Sequence, residues 1–299
     1  TLNLAVAKIE SSHKFSILFN DKISVKLGEG GINTNRILPV PFQRGLDAVK
    51  KHLETCSNLH VEKTYAFATS AIRSSANGAD FVEEIKEQFG LDIQVIDGER
   101  EAELIYEGVR LGVSMHAENS LIMDIGGGST EFIIATSEQV HWKQSFNLGA
   151  ARLLEKFNPS DPIKNEEIAA IENYFDIELL PLEQALKKFK VAELIGSSGS
   201  FDTFAEIITH KYYSPIDLNL HSSYDFVMKD FYSIHGQLLN STKEQRLTTP
   251  GIIEMRVDMI VISAVFTNYI LKKFKLEKMR LSTYALKEGV IAQLMKSTI

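Results

Sequence analysis

The sequence predicts an α/β protein made of two similar parts. Strand-like apolar runs alternate with segments of helical spacing along the whole chain. Each part begins with consecutive strands and continues as helix, strand and helix, and glycine-rich turns follow several of the strands. No low-complexity linker separates the two parts. Two α/β lobes with glycine-rich turns form an architecture typical of proteins that handle nucleotides or phosphates.

The first part is expected to open with a meander of strand-like runs, in which Asn20 and Asp21 form the turn before the last run. A helix should follow Pro41 and another should end at Gly90, since proline favours helix starts and glycine favours helix ends. The expected strands lie within 2–10, 14–21, 22–29, 61–71 and 92–97, and the expected helices within 41–58, 78–90 and 98–113.

The second part is expected to begin after the polar residues 117–120. It should start with a strand, a glycine-rich turn and a second strand, and it should end with a strand followed by a helix. Between these, the patterns predict a strand within 139–149, helices within 150–190, a strand, glycine turn and helix over 192–208, and a long apolar helix within 251–274.

The glycine-rich turn at the start of the second part is the most informative stretch. Asp124 ends one apolar run, and a second apolar run begins at Phe132. Between them lie Gly126, Gly127, Gly128, Ser129 and Thr130. One glycine suffices for most turns, whereas several in a row let bare backbone N–H groups approach phosphate oxygens. An acid beside them can act through a divalent cation that also holds the phosphate. An ordinary hairpin is the alternative, but the compound pattern favours a phosphate site.

Composition excludes several classes of protein. The chain has 299 residues, 44% hydrophobic and 24% charged, as in ordinary globular proteins. Its net charge of −7 argues against nonspecific binding to nucleic acid, and no duplex is expected as a partner. No apolar stretch reaches the roughly 20 residues of a membrane span, so no membrane partner is expected. Cys56 is the single cysteine, which excludes an internal disulfide and predicts a reduced thiol and a cytoplasmic location.

Six segments, taken in order, resemble the exopolyphosphatase / guanosine pentaphosphate phosphohydrolase (Ppx/GppA) phosphatase family. They read FATSAIRSSANG, IDGEREAELIYEGV, MDIGGGSTEFII, IGSSGSFDTFAE, PGIIEMRVDMI and LSTYALKEGV, and they span nearly the whole chain. The resemblance implies two ribonuclease-H-like lobes of the actin, sugar-kinase and chaperone superfamily around a central cleft. The expected first lobe is 1–118, with a C-terminal helix over 285–299 packing back on it, and the expected second lobe is 119–284.

One part of the family pattern is not matched. Family members open with a strand that ends in Asp-x-Gly-Ser/Thr-Asn-Ser/Thr. This chain opens TLNLAVAK, which aligns if Thr1 is the last hydroxyl residue of that motif. The acid, the glycine and the asparagine are therefore expected upstream of residue 1, in a longer protein.

The resemblance assigns the catalytic base to Glu101, which matches the family glutamate thought to activate water. A carboxylate near an in-line water can orient and deprotonate it. Glu99 and Glu103 are expected on a solvated helix face instead. Arg73, with Thr69 and Ser70 in the same loop, matches a phosphate-binding segment, since an arginine can hold phosphate with a bidentate fork. Without the resemblance, a lone arginine predicts a surface salt bridge.

The resemblance also implies a metal site and a second glycine turn. Asp124 is expected to hold Mg²⁺ (or Mn²⁺) indirectly, through water or another ligand, and Glu131 matches a family acid that shares the metal or the water. The second turn, at Gly196, Ser198, Gly199 and Ser200, predicts either an anion site at a helix start or a close-packing glycine pair. Lys26 replaces an arginine of the family hairpin and is a candidate phosphate-contacting cation. Arg256 and Asp258 are expected to form a buried pair on the long helix.

The leading functional hypothesis is a Mg²⁺-dependent phosphoanhydride hydrolase. Its expected substrate is inorganic polyphosphate or the phosphorylated guanine nucleotide guanosine pentaphosphate, and a homodimer is a possible assembly. An ATP-dependent kinase of the same superfamily and a non-catalytic nucleotide or phosphate sensor are the alternatives. The glycines and the acid fit each of these classes, whereas the family position of Glu101 favours hydrolysis.

Overall fold

The computed structural model describes residues 1–11 and 14–297 and divides into two compact units. Unit 1 comprises Thr1–Glu101 and Ile291–Ile299, and unit 2 comprises Ala102–Val290. The unit limits lie inside the helices Gly98–Gly112 and Leu286–Ser297, whereas the expected lobe limits lie at 118 and 284. The last two residues of the helix expected over 285–299 lie outside the described residues.

Unit 1 is built around two long helices, one pair of ten-residue strands and one pair of three-residue strands. Its elements are β1 (Leu2–Ser11), β2 (Lys14–Ile23), α1 (Pro39–Asn58), β3 (Ala66–Ala68), α2 (Ser70–Arg73), α3 (Gly78–Phe89), β4 (Ile93–Val95) and the beginning of α4 (Gly98–Gly112).

The opening strands form one antiparallel pair, and the expected turn at Asn20 and Asp21 is wrong. The pairing runs from Leu2 opposite Ile23 to Ser11 opposite Lys14, and Asn20 and Asp21 lie inside β2. The turn preference of Asn-Asp is a weak local preference, and the cross-strand pairing of these two residues with Ala5 and Leu4 outweighs it. Residues 27–35 then form turns, and no third strand forms within the expected range 22–29.

The parallel pair of β3 and β4 places two chain segments at one edge. Ala66 pairs with Ile93 and Ala68 with Val95. Because the carboxyl ends of parallel strands meet at the same edge, the segment after β3 and the start of α4 lie side by side. Helices α1 and α3 supply the core of this unit, in which Phe81 is 1% exposed. Gly90 ends α3 with a φ of +66°, as predicted.

Unit 2 contains a larger sheet and most of the helices. Its elements are the rest of α4, then β5 (Ser120–Ile125), β6 (Thr130–Ala135), β7 (Val140–Phe146), α5 (Ala150–Phe157), α6 (Asn165–Glu178), α7 (Leu180–Lys188), β8 (Glu193–Ser197), α8 (Gly199–Tyr212), β9 (Ser223–Asp225), α9 (Met228–Leu239), α10 (Lys243–Leu247), a 3₁₀ turn (Glu254–Arg256), α11 (Ile260–Lys273), β10 (Met279–Ser282) and the beginning of α12 (Leu286–Ser297).

The sheet of unit 2 has six strands in the order β7-β6-β5-β8-β10-β9. Strands β5, β6 and β7 form an antiparallel meander, and β8 and β10 extend it as parallel crossover strands. The predicted strand–glycine turn–strand element is therefore confirmed as the hairpin of β5 and β6. The short strand β9 closes the other edge, antiparallel to β10.

The sheet is buried on both faces. Met123 and Phe132 belong to the larger core, to which α8 and α11 contribute Phe204 and Phe266. All four side chains are fully buried. The long apolar stretch expected as one helix is interrupted, because the 3₁₀ turn precedes α11 and residues 257–259 separate them.

The opposite face of the sheet packs against α4. Ile122 lies with Ile105 and Val109 of α4 in a second buried cluster. This packing assigns α4 beyond Glu101 to unit 2. Since side chains alternate along a strand, Asp124 points to the same face as Ile122.

Helix α12 crosses α4 closely. A Cβ added to Gly289 would lie 1.7 Å from the carbonyl oxygen of Leu104, and one added to Gly108 would lie 1.9 Å from that of Ala285. Only glycine allows the two backbones to approach this closely. From Ile291 onward, α12 belongs to unit 1. Among the described residues, no helix has the length and apolar character needed to cross a membrane.

Candidate active site

Unit 1 carries a buried carboxylate, Glu101, that is paired with the partly exposed guanidinium of Arg73. Nη1 of Arg73 donates to Oε2 of Glu101 at 2.8 Å and to the carbonyl oxygen of Ile96 at 2.9 Å. Glu101 is 7% exposed, although it lies in the first turn of a helix. The parallel strands β3 and β4 produce this arrangement, because Arg73 ends α2 just after β3 and Glu101 follows β4.

Burial raises the pKa of the Glu101 carboxyl, because removal from water disfavours its charged form. The hydrogen bond and positive charge of Arg73, and a hydrogen bond from Thr69, lower that pKa and offset part of the effect. The result is a carboxyl group whose pKa lies above the ordinary glutamate value, with one fixed cationic partner. A raised pKa makes the carboxylate a stronger base towards a bound water.

The raised pKa predicts the pH dependence of activity. If Glu101 must be ionised to accept a proton, kcat/KM should rise with pH through a pKa above that of an ordinary glutamate. Initial rates of phosphate release across a pH series in wild type and Glu101→Gln measure this. The idea is wrong if the acid limb lies at an ordinary carboxylate pKa or is identical in the variant.

Stability should respond to the same shift. Because its pKa is raised in the folded state, protonated Glu101 contributes to the free energy of unfolding. That contribution is complete below the unfolded-state pKa and is lost as pH rises through the folded-state pKa. Denaturant unfolding should therefore show wild type losing stability relative to Glu101→Gln across this window.

Of the other expected site residues of unit 1, two lie beside Arg73 and one lies elsewhere. Thr69 and Ser70 lie beside Arg73, and the Ser70 hydroxyl is buried without a hydrogen-bond partner among the described residues. Lys26 is exposed in the turns after β2, with a φ of +47°, and its carbonyl accepts a hydrogen bond from Arg44. The structure thus brings Thr69, Ser70, Arg73 and Glu101 together and places Lys26 on another loop.

In unit 2, the start of α5 holds the glycine loop between β5 and β6. The carbonyl oxygens of the three glycines accept hydrogen bonds from this helix. The N–H of Ala150 donates to Gly126 (2.9 Å), the N–H of Ala151 to Gly127 (3.0 Å), and Nε of Arg152 to Gly128 (2.9 Å). In a planar trans peptide, the N–H of the next residue points opposite to the carbonyl. The N–H groups of Gly127, Gly128 and Ser129 therefore point away from α5. In the described part of the chain, those of Gly127 and Gly128 donate to no backbone carbonyl.

Gly149 and Arg152 were not predicted as site residues. A Cβ on Gly149 would lie 2.4 Å from the carbonyl carbon of Gly127, so only glycine lets the loop and α5 touch. Arg152 is 8% exposed, and burial lowers its pKa while Tyr174 and Glu155 act in the opposite direction. The sequence signal that could have identified them is the segment NLGAAR after β7. It has a glycine just before a helix and an arginine in the first turn of that helix.

The two acids expected to hold metal lie next to each other. Asp124 and Glu131 are directly opposite on β5 and β6 and are 7% and 1% exposed. Oδ2 of Asp124 accepts a hydrogen bond from Ser197 at 2.6 Å, and Oε1 of Glu131 accepts from Ser129 and Ser145, each at 2.7 Å. The hydroxyl of Ser129 is thus directed at Glu131 rather than out of the loop.

The two carboxylates fit a magnesium ion whose remaining ligands are water and phosphate oxygens. Among the described residues, no group of three or more His, Cys, Asp or Glu side chains could hold a metal. Mg²⁺ is usually bound by one or two carboxylates together with substrate phosphate oxygens and water, and not by a complete protein cage. Two adjacent carboxylates beside a glycine loop have the number and chemistry that this mode of binding requires.

The second glycine turn is shaped by packing. A Cβ on Gly196 would lie 2.0 Å from the ring of Phe201, and one on Gly199 would lie 1.8 Å from Nη2 of Arg256. Both glycines therefore make room for a side chain, as the close-packing alternative predicts. A phosphate contact at Gly196 stays a prediction without support from this geometry.

The hydroxyls of this turn and of the first loop are used inside the unit. Ser198 adopts a φ of +75°, which is unusual for a residue with a side chain. Ser200 donates to the hydroxyl of Ser263 on α11 at 2.9 Å. Thr130 donates to the carbonyl oxygen of Leu148 at 3.0 Å. Because the Ser200 and Thr130 hydroxyls are engaged in this way, a phosphate bound by these turns would depend chiefly on their backbone N–H groups.

Arg256 does not form the expected helix pair. It lies in the 3₁₀ turn before α11, and Asp258 forms an ion pair with Lys243 at 2.7 Å. Burial lowers the pKa of the Arg256 guanidinium, and the nearby charges of Asp202 and Asp124 raise it. The Arg256 guanidinium therefore lies within electrostatic reach of Asp124, near the end of β5. Local spacing did not reveal this because the two residues are far apart in the chain.

Comparison with known proteins agrees with the sequence resemblance. A family model for the Ppx/GppA phosphatase family matches residues 5–298. A relative from Haemophilus influenzae is 26% identical over 298 residues, which is 99% of this chain and 89% of the relative.

Solved structures show the same fold. An exopolyphosphatase from Cytophaga hutchinsonii is 39% identical, with a TM-score of 0.96 over 99% of this chain and 94% of that one. A Ppx/GppA family member from Aquifex aeolicus is 24% identical, with a TM-score of 0.80 over 99% of this chain and 94% of that one. The predicted fold class is confirmed, and the chain belongs to the Ppx/GppA phosphatase family.

Proposed function

We propose that this chain is an exopolyphosphatase, which releases the terminal phosphate of inorganic polyphosphate by hydrolysis of a phosphoanhydride bond. Membership of the Ppx/GppA family supports the reaction class, and the similar protein from Cytophaga hutchinsonii supports polyphosphate as the substrate. The observation that carries the proposal is the buried Glu101 held by Arg73. A buried carboxylate with a raised pKa suits the activation of water, which a hydrolase needs and a kinase must avoid.

In the proposed mechanism, the Glu101 carboxylate accepts a proton from the attacking water as that water approaches the terminal phosphorus. Arg73 keeps the carboxylate in place and stabilises charge on the substrate. In unit 2, taken by itself, the N–H groups of Gly127, Gly128 and Ser129 are the donors offered to phosphate oxygens. The bond between phosphorus and the bridging oxygen breaks, and the shortened polyphosphate leaves as the anion.

Asp124 and Glu131 would hold a divalent cation in this proposal. Mg²⁺ or Mn²⁺, when bound, supplies positive charge that offsets the phosphate oxygens next to two carboxylates. Arg256 adds a fixed positive charge near Asp124 and limits the repulsion between that acid and the substrate.

The substrate assignment can be tested by phosphate release. Polyphosphate, guanosine pentaphosphate and ATP are supplied separately, each with and without glucose or glycerol. Release from polyphosphate without an added acceptor is the expected result. Faster release from guanosine pentaphosphate would reassign the substrate within the same reaction class. Transfer that requires an acceptor would favour a kinase, and binding without turnover of any substrate would favour a sensor.

Activity is expected to require a divalent cation. Excess chelator should abolish phosphate release, and added Mg²⁺ or Mn²⁺ should restore it, because anionic phosphates do not approach Asp124 and Glu131 without a bridging cation. Titration of activity against free Mg²⁺ measures the requirement. Full turnover in excess chelator would contradict the proposed metal site. The homodimer stays a prediction that light scattering can test.

A further inference from the structure

A row of polar residues crosses the sheet of unit 2 at one register. The paired positions are Ser145 on β7, Glu131 on β6, Asp124 on β5 and Ser197 on β8. Residues directly opposite in a sheet project to the same face. The two acids therefore stand side by side in the row, with a serine on each outer side.

The serines hold the acids through their hydroxyl groups. Ser197 is fully buried and donates to Oδ2 of Asp124 at 2.6 Å, and Ser145 is half-buried and donates to Oε1 of Glu131 at 2.7 Å. A carboxylate side chain otherwise rotates among several conformations, and a bond from a neighbouring strand removes that freedom. The β7 and β8 strands thus fix the two acids from opposite sides.

We propose that Ser145 and Ser197 are positioning residues that hold Glu131 and Asp124 in the geometry with which they bind a divalent cation. This inference rests on the proposed cation-binding role of the two acids. Residues that hydrogen-bond to metal ligands contribute strongly to metal affinity, and their loss typically costs between ten- and a hundredfold.

The sheet contains a matched control for this idea. Ser120 and Glu193, the first residues of β5 and β8, form the same kind of buried bond, at 2.9 Å. They lie at the opposite end of the two strands that carry Asp124 and Ser197. Ser120→Ala therefore removes an equivalent hydrogen bond from the same sheet, away from the acid pair.

The test measures metal binding directly. Free Mn²⁺ is followed by electron paramagnetic resonance during titration of wild type, Ser145→Ala, Ser197→Ala, Ser120→Ala and Asp124→Asn. We expect the Mn²⁺ dissociation constant to rise about tenfold in Ser145→Ala and Ser197→Ala, to stay unchanged in Ser120→Ala, and to exceed the measurable range in Asp124→Asn. Ser145→Thr, which keeps the hydroxyl, should retain wild-type affinity.

A kinetic measurement separates positioning from a general loss of structure. The apparent Mg²⁺ constant for phosphate release should rise about tenfold in Ser145→Ala and Ser197→Ala, and kcat at saturating Mg²⁺ should fall by less than that. Thermal unfolding identifies a variant that is merely destabilised. In that case, the Mn²⁺ dissociation constants of Ser145→Thr and Ser145→Ala are compared to show whether the hydroxyl itself is required.

The outcomes distinguish this inference from the function on which it rests. If Asp124→Asn binds Mn²⁺ as wild type does, the metal role of Asp124 is wrong and the inference falls with it. If Asp124→Asn loses Mn²⁺ while both serine-to-alanine variants bind it with wild-type affinity, the inference alone is overturned. It is also overturned if Ser120→Ala weakens Mn²⁺ binding to the same extent.

Discussion

Glu101→Gln is expected to lower kcat by roughly a hundredfold or more, which corresponds to about 2.7 kcal/mol of transition-state stabilisation. Glutamine keeps the size of the side chain and an oxygen that can accept the hydrogen bond from Arg73, but it cannot take a proton from water. Substrate binding should survive, because the change removes a negative charge that repels phosphate. KM is expected to stay level or fall. Steady-state kinetics with polyphosphate measures both constants.

The neighbouring glutamates of α4 are the control. Glu99 is exposed, and Glu103 forms an ion pair with Lys143 on β7. Glu99→Gln and Glu103→Gln remove the same charge from the same helix, so they should change kcat little. Equal losses in all three variants would show a general electrostatic effect and reject Glu101 as the base. A Glu101→Gln rate within a few-fold of wild type on every phosphoanhydride tested would reject it as well.

Asp124→Asn is expected to remove most of the activity together with its dependence on Mg²⁺. The substitution keeps the shape and an oxygen that can accept the hydrogen bond from Ser197, so the fold should remain intact. The charge needed to hold a cation is lost, and such a loss at a carboxylate ligand removes the strongest part of the metal's binding energy. Phosphate release over a range of free Mg²⁺, with circular dichroism of the variant, provides the measurement.

Asp176→Asn is the matched control for that charge change. Asp176 lies on α6 of the same unit and accepts a hydrogen bond from the hydroxyl of Tyr269 at 2.8 Å, away from the glycine loop. Its variant should keep the activity and the Mg²⁺ dependence of wild type. An Asp124→Asn variant that unfolds would make Asp124 a structural residue, and one that keeps a normal Mg²⁺ response would reject it as a ligand.

Local patterns were sufficient where neighbouring residues decide the structure. The hairpin of β5 and β6 follows from apolar runs on both sides of a glycine cluster, and the end of α3 follows from Gly90. Local preference failed at Asn20 and Asp21, where long-range pairing with β1 outweighs a turn signal. The apolar run over 251–274 also predicted a helix that begins too early, since α11 begins at Ile260 and an apolar run does not show where a helix begins.

By itself, the sequence determined the α/β class and the family, and it named the candidate acids and glycines, because these reside in short motifs whose spacing can be read directly. Only the tertiary structure decided which side chains surround them. Strand register places Ser145 and Ser197 beside the acids, α5 turns the glycine carbonyls inward through Ala150 and Ala151, and a distant 3₁₀ turn brings Arg256 to Gly199. Each of these contacts joins segments far apart in the chain, and their geometry depends on pairing and packing that local spacing does not encode.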